Sequence, residues 1–266
     1  MHYFFTTLAV NEPYFSNSLK FYADLHSCTE SAYFNITTTE EDLLKIRDYT
    51  GFSKDEYVAN YPRINITTIE QINPYFTTPL HASVNKVGFS FHLNYKALSI
   101  KACIQDGRDF DYVLFTDGDW LMHENFSEDK IFNMFNIMES NSIDFAFERP
   151  AKIGNYKQNG LGDCFFIQKV HDFNVTEHSV WDEAEVINEQ IFAIKNNWKL
   201  KLFSMKWEQF LWYSIANDIN SYPDGFDIGV SALESKMIMS YSPFSAITEC
   251  FYFYGRYNPN ERNVRF

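Results

Sequence analysis

The sequence predicts an α/β fold, with a mostly parallel, Rossmann-like central sheet flanked by helices, on three observations. Short runs rich in β-forming residues alternate with segments of helical period from the first residues onward, the pattern of βαβ units. One run, Tyr112-Val113-Leu114-Phe115, is apolar without interruption, as a central strand buried on both faces must be. It stops at Thr116-Asp117-Gly118-Asp119, which puts two carboxylates at the C-terminal edge of the sheet, where open α/β folds bind their ligands.

The first strand is expected over residues 2–10 and leads through Asn11 and Glu12 to Pro13, a good first helical residue. The apolar positions Tyr14, Leu19, Phe21, Tyr22 and Leu25 then fit a helix. Residues 32–38 read as a second strand. Thr39 is placed to cap a helix over 40–49 whose first turn holds the acids that the helix dipole favours. A further strand is expected at 64–68. From Ser83 to Gln105 the apolar residues Val84, Val87, Phe91, Tyr95, Leu98 and Ala102 recur every three or four positions, a long helix before the Asp-Gly-Asp strand. Ser127 caps a helix running to about Glu139, and residues 143–147 and 164–168 read as strands. Between them, 148–162 is a polar loop, a common setting for binding. Residues 181–196 suggest a helix on the spacing of Val186, Ile187, Ile191 and Ile194. Residues 198–206 alternate apolar and basic like a half-solvated strand, and a helix is expected over 207–217.

With 266 residues the chain is long enough for one large domain. Its net charge of −13 argues against nonspecific nucleic-acid binding, which needs a basic surface. The four cysteines, Cys28, Cys103, Cys164 and Cys250, lack metal-type spacing and are expected to be buried free thiols. The N-terminus lacks a basic region ahead of its apolar run, and no apolar run reaches the length of a membrane span, so a cytoplasmic protein is expected.

The chemistry centres on Asp117 and Asp119. Residues i and i+2 of a strand face the same way, so the two carboxylates are expected to converge, with Gly118 admitting a ligand close to the backbone. Hard divalent cations take such oxygens, and Mg²⁺ is often held by one or two carboxylates plus substrate phosphates. Asp-Gly-Asp is also a common turn sequence. The apolar strand before it and Trp120-Leu121-Met122 after it argue against a solvated hairpin tip.

A hydrophobic strand ending in Asp-x-Asp, about 110 residues into a chain of this size, resembles the nucleotide-sugar glycosyltransferases of the GT-A fold. The order of elements carries the resemblance over most of the chain, and the Asp-x-Asp alone is sharp. It implies a single domain, with residues 1–122 as a nucleotide-binding half and 123–266 as an acceptor-binding half and tail. It implies a metal-dependent enzyme that moves a sugar from a nucleotide-diphosphate donor, UDP-sugar foremost, to a hydroxyl of a glycan or similar acceptor. Mn²⁺ or Mg²⁺ would grip the diphosphate, with Asp119 as direct ligand and Asp117 as its partner, reaching the ribose or a metal-bound water. The loop after the first strand would cup the nucleoside, which nominates Thr7, Leu8 and Ala9. A basic residue near the start of the helix before the motif would touch the nucleotide, which nominates Lys86. An acidic element after the motif would supply a catalytic base or hold the donor sugar, with Asp182, Glu183 and Glu189 as candidates.

Each nomination has an ordinary structural alternative: strand packing for Thr7 to Ala9, a solvated surface lysine, and first-turn acids that stabilise a helix through its dipole. The tail brings Arg256, Arg262 and Arg265, but no histidine follows His178 to act as a further metal ligand. Retention or inversion is left open. A nucleotidyltransferase shares the sheet and the metal, though it would ordinarily carry a glycine-rich basic loop where this chain has Val10 to Ser16. A nonenzymatic carbohydrate-binding module is the third reading.

Overall fold

The computed structural model describes residues 1–73, 95–148, 151–152, 185–187, 190–216 and 224–253. The chain opens with β1 (Tyr3–Leu8), α1 (Tyr14–Cys28) and β2 (Ala32–Thr38). Pro13 sits just outside α1 at its N-cap position. Thr39 caps as expected, its hydroxyl accepting the Asp42 N–H. The helix beyond it is divided into α2 (Glu40–Leu44) and α3 (Ile46–Thr50), which ends at Gly51 with φ 76°. Next come α4 (Lys54–Asn60), begun by a Ser53/Glu56 capping box, then β3 (Ile64–Thr68) and α5 (Ile69–Ile72). Of the helix expected over 83–105, α6 (Lys96–Gln105) lies within the described residues. It leads to β4 (Tyr112–Thr116), β5 (Trp120–Met122), α7 (Glu128–Ser140) capped by Ser127, and β6 (Phe145–Phe147). Two short strands, β7 (Ala151–Lys152) and β8 (Glu185–Val186), pair with each other. The chain continues through β9 (Ile191–Lys195), α8 (Trp198–Ala216), α9 (Asp224–Glu234), β10 (Met239–Ser240), a 3₁₀ turn (Ser242–Ala246) and β11 (Phe251–Phe253). The strand expected at 164–168 lies outside the described residues.

Seven strands form the central sheet in the order β10-β6-β9-β4-β1-β2-β3, all parallel except β9, which runs against β4 and β6. This is the mostly parallel, helix-covered sheet that the sequence predicts. One face, with Tyr3, Phe5, Phe34, Ile66 and Leu114, packs under α1 and α7. The other, with Phe4, Val113, Phe115, Phe145 and Phe192, packs under α6, α8 and α9. β4 is buried along its whole length, and its rings stack on neighbours from both faces: Tyr112 on Phe135 at 4.1 Å, Phe115 on Phe192 at 4.8 Å.

Two expectations are overturned. Residues 185–195, read as part of a helix, contain β8 and β9. In β9, Ile191, Phe192, Ala193 and Ile194 are all buried, which requires apolar residues facing both ways, and their three-to-four spacing with Val186 and Ile187 is fortuitous. Residues 198–206, read as a strand, are the first turns of α8. Leu200, Phe203, Ser204, Trp207, Phe210 and Leu211 are buried at helical spacing, whereas the alternation of apolar and basic residues spans too few positions to decide. Asn197 begins the helix, its Oδ1 accepting the Lys199 N–H at 2.9 Å. Of the thiols, Cys103 and Cys250 are buried as expected but Cys28 is exposed, because it ends α1 on the solvent side.

The start of α9 touches the β8 connection with no room to spare. A Cβ on Gly225 would lie 1.8 Å from the Ile187 carbonyl oxygen, and the Ile187 N–H donates to the Gly225 carbonyl at 3.1 Å. Gly225→Ala is expected to cost about 3 kcal/mol of stability through overpacking, measured by urea denaturation.

Candidate functional site

The C-terminal ends of β1 and β4, the N-terminal end of antiparallel β9, and the first residues of α1 and α6 meet at one edge of the sheet. Here β4 gives way to a turn rather than to more strand. The Asp117 N–H donates to the Gln190 carbonyl at 2.8 Å, and the Asp117 carbonyl accepts the Trp120 N–H at 3.3 Å. The two carboxylates are therefore brought together by a four-residue turn, not by the i, i+2 geometry of a strand. Gly118 serves packing at this turn. A Cβ there would lie 3.1 Å from Ser18 Oγ, 3.3 Å from the Leu8 carbonyl oxygen and 3.3 Å from Tyr14 Cβ.

Asp117 is matched by a buried lysine. Lys96, the first residue of α6, is 2% exposed, with Nζ 2.8 Å from Asp117 Oδ1 and 5.7 Å from the centre of the Phe115 ring. The helix that carries Lys96 is keyed to the sheet by hydrogen bonds. Thr6 Oγ1 donates to the Ser99 carbonyl at 3.2 Å, Ser99 Oγ donates to the Lys96 carbonyl at 2.7 Å, and Asn35 Nδ2 donates to Thr6 Oγ1 at 3.1 Å.

Asp119 is in the opposite condition. Burial, then the charge of Asp117, push its carboxyl up to about 7, while Lys96 pulls the other way. Its Oδ1 is buried with no hydrogen-bond partner. An ionised carboxylate in that setting is short of positive charge and of donors. Tyr14, first in α1 and 44% exposed, stands close enough that Asp119 and Asp117, after burial, raise its phenol.

Thr7, Leu8 and Ala9 end β1 beside this turn. Thr7 and Ala9 are buried, the Ala9 N–H donates to the Thr37 carbonyl at 2.8 Å, and the Leu8 carbonyl faces Gly118. The loop beyond them is shaped by Asp42. This carboxylate, 2% exposed, accepts the N–H of Asn11 at 2.8 Å and the hydroxyl of Thr39 at 2.9 Å, and Asn11 has φ 66°. On the other flank, Trp120, Glu148, Ile191, Phe244, Thr248 and Phe251 line a narrow apolar cleft.

Lys86, Asp182, Glu183 and Glu189 lie outside the described residues. Lys96, Tyr14 and Asp42 are site residues that the sequence reading missed. A lysine opening a helix whose next four residues are small or apolar, and an acid three residues after a threonine cap, were the available signals. Among the described residues no group of three or more His, Cys, Asp or Glu side chains surrounds a point that would hold a metal. A cation at Asp119 would need oxygens from its ligand.

No protein-family model matches the chain, and no curated sequence matches it. Solved structures do resemble it. The galactosyltransferase LgtC in complex with donor and acceptor sugar analogues is 17% identical with a TM-score of 0.44, over 91% of this chain and 73% of that one. The Q189E active-site mutant of LgtC is 15% identical with a TM-score of 0.42, over 91% of this chain and 72% of that one.

The raised Asp119 has a consequence for the metal-free protein. An acid whose folded-state pKa exceeds its unfolded value contributes stability that is whole below about pH 4 and is lost as pH rises to about 7. Asp119→Asn is therefore expected to match the parent near pH 4 and to exceed its stability at pH 8 by about 2 to 4 kcal/mol. Urea denaturation in the absence of divalent cations checks this.

Proposed function

We propose that this chain is a metal-dependent glycosyltransferase, moving a sugar from a nucleotide-diphosphate donor, UDP-sugar foremost, to a hydroxyl of a glycan or similar acceptor. The observation that carries the reading is Asp119: a half-buried carboxylate whose Oδ1 is buried without a hydrogen-bond partner, raised to about 7, in a turn at the C-terminal edge of the sheet. Holding it unpartnered is costly in the free protein and is repaid when a divalent cation arrives with a diphosphate to complete the coordination.

In this reading each residue has a distinct task. Asp119 binds the cation directly. Lys96 holds Asp117 in place for a metal-bound water or the ribose. The exposed Tyr14 ring offers a flat surface for a nucleobase, and Asp42 sets the loop from Ala9 to Pro13 that borders it. A bound Mn²⁺ or Mg²⁺ would neutralise charge on the departing diphosphate. The sugar passes through an oxocarbenium-like state, and an inverting reaction would need a carboxylate base beside the acceptor hydroxyl, for which Asp182, Glu183 and Glu189 are proposed. The Trp120 to Glu148 cleft opens on the side left for the acceptor.

Thermal unfolding against a panel of nucleoside diphosphates, with and without Mn²⁺, tests the reading. At ligand concentrations about a hundredfold above Kd, binding adds about 2.7 kcal/mol. One nucleotide is expected to raise the Tm of the parent only with Mn²⁺ and to leave Asp119→Ala unmoved. A panel in which no nucleotide shifts the parent would remove the transferase reading.

A further inference from the structure

Eight large apolar side chains are well exposed among the described residues, and three of them lie on α8 or on the segment pinned beside it: Trp198 (65%), Met205 (59%) and Ile238 (52%). The outward stripe of α8 runs Trp198, Lys201, Met205 and Gln209, all exposed, at intervals of three and four residues and without an acid. A solvent-facing helix stripe is ordinarily charged on both signs or polar. This one is headed by a tryptophan.

The segment leaving α9 lies along the same helix. Lys206 pairs with Glu234 at 3.2 Å, and Lys199 pairs at 2.6 Å with Asp144, whose Oδ2 also accepts the Ile238 N–H at 2.9 Å. Residues 234–238 are thus pinned beside α8 from Lys206 to Lys199, which sets Lys236 and Ile238 next to the stripe. Lys201 and Lys236 are exposed and make no ion pair among the described residues. The acids on the elements beside the stripe are engaged, Glu139 with Lys195 at 2.6 Å, Asp144 with Lys199, Glu234 with Lys206 and Glu208 with Lys101 at 2.7 Å, while Asp109 and Asp111 are exposed at the same edge of the sheet as Trp198. A protein of net charge −13 therefore presents, at one end, apolar side chains interleaved with free cations.

We propose that this face docks the protein on an anionic lipid surface. Trp198 has the amphipathic ring that settles at headgroup depth, Met205 and Ile238 supply apolar area, and Lys201 and Lys236 reach lipid phosphates on flexible stems. Self-association through the same face is disfavoured, because a two-fold contact would gather the lysines of both copies into one interface with no acid of the stripe to match them. The orientation follows from strand pairing. Lys195 lies opposite Tyr112 and Ile191 opposite Thr116, so Trp198 emerges at the edge of the sheet away from Asp117 and Asp119. From there the stripe follows α8 along the flank of the sheet, back toward Leu211, which packs with Leu8 and Tyr95 at the carboxylate edge.

Sedimentation with vesicles of phosphatidylcholine alone, and with phosphatidylserine added, tests the proposal on the full chain. The parent is expected to partition to the anionic vesicles and to leave them as salt rises. Lys201→Ala/Lys236→Ala is expected to weaken partition by at least about tenfold, since each lysine near an anionic surface is worth about fivefold. Trp198→Ala/Met205→Ala is expected to weaken it as well. All four side chains are exposed, so both variants should keep the parent's Tm. Absence of partition, equal partition to both vesicle types, or variants that partition like the parent would overturn the proposal. Self-association in sedimentation velocity that Trp198→Ala/Met205→Ala abolishes, with no vesicle binding, would overturn it in favour of a protein interface.

Discussion

A lysine ammonium taken out of water needs a counter-charge at hydrogen-bond distance, and a carboxylate beside a buried strand needs the same in return. Lys96 and Asp117 meet both needs at 2.8 Å. The pair works only if α6 cannot slide, and an apolar contact alone would not prevent sliding. The polar run from Asn35 through Thr6 to Ser99 and the Lys96 carbonyl provides the register. With Asp117 thus satisfied, the electrostatic deficit of the site falls on Asp119, two residues on, whose carboxyl is pushed up by burial and by the charge of Asp117.

The same physical device recurs at both ends of the sheet: one charged side chain meets several groups of a connection and fixes its shape. At the carboxylate edge Asp42 holds Asn11 and Thr39. At the opposite edge Arg63 donates to the carbonyls of His26, Thr29 and Ala32, and Glu128 accepts the N–H groups of Glu30 and Ser31 and the hydroxyl of Tyr3. Hydrogen bonds to charged groups are individually stronger than neutral ones, about 1.5 to 3 kcal/mol. Short connections can then be rigid without glycine or proline at every turn.

The strands of the N-terminal half were legible because they obey local rules: β1 and β4 are uninterrupted runs of β-formers, β2 and β3 are runs broken by one asparagine each, and Thr39 and Ser127 are caps that act within four residues. β9 and α8 were not, for one shared reason. A strand buried on both faces and a helix buried over most of its surface are each apolar in more than one direction, so the period that distinguishes them is lost. In the site, the carboxylates could be read from sequence but their partners could not. Lys96 precedes Asp117 by twenty-one positions and Asp42 follows Asn11 by thirty-one, and only the topology of the sheet sets such pairs side by side.

The single reversed strand has an architectural consequence. Phe147 at the end of β6 pairs with Phe192 near the start of β9, so the chain leaves the sheet and rejoins it at neighbouring points on the carboxylate edge. Everything between is an excursion with both feet planted beside the candidate site. Its described residues belong to the frame: the Gln190 carbonyl accepts the Asp117 N–H at 2.8 Å, and Ile187 is buried against Gly225 at the start of α9. A change in the length of this segment would therefore reach the Asp117 turn directly, through the main chain of Gln190, while the pairing of β6 with β9 leaves the strand order as it is.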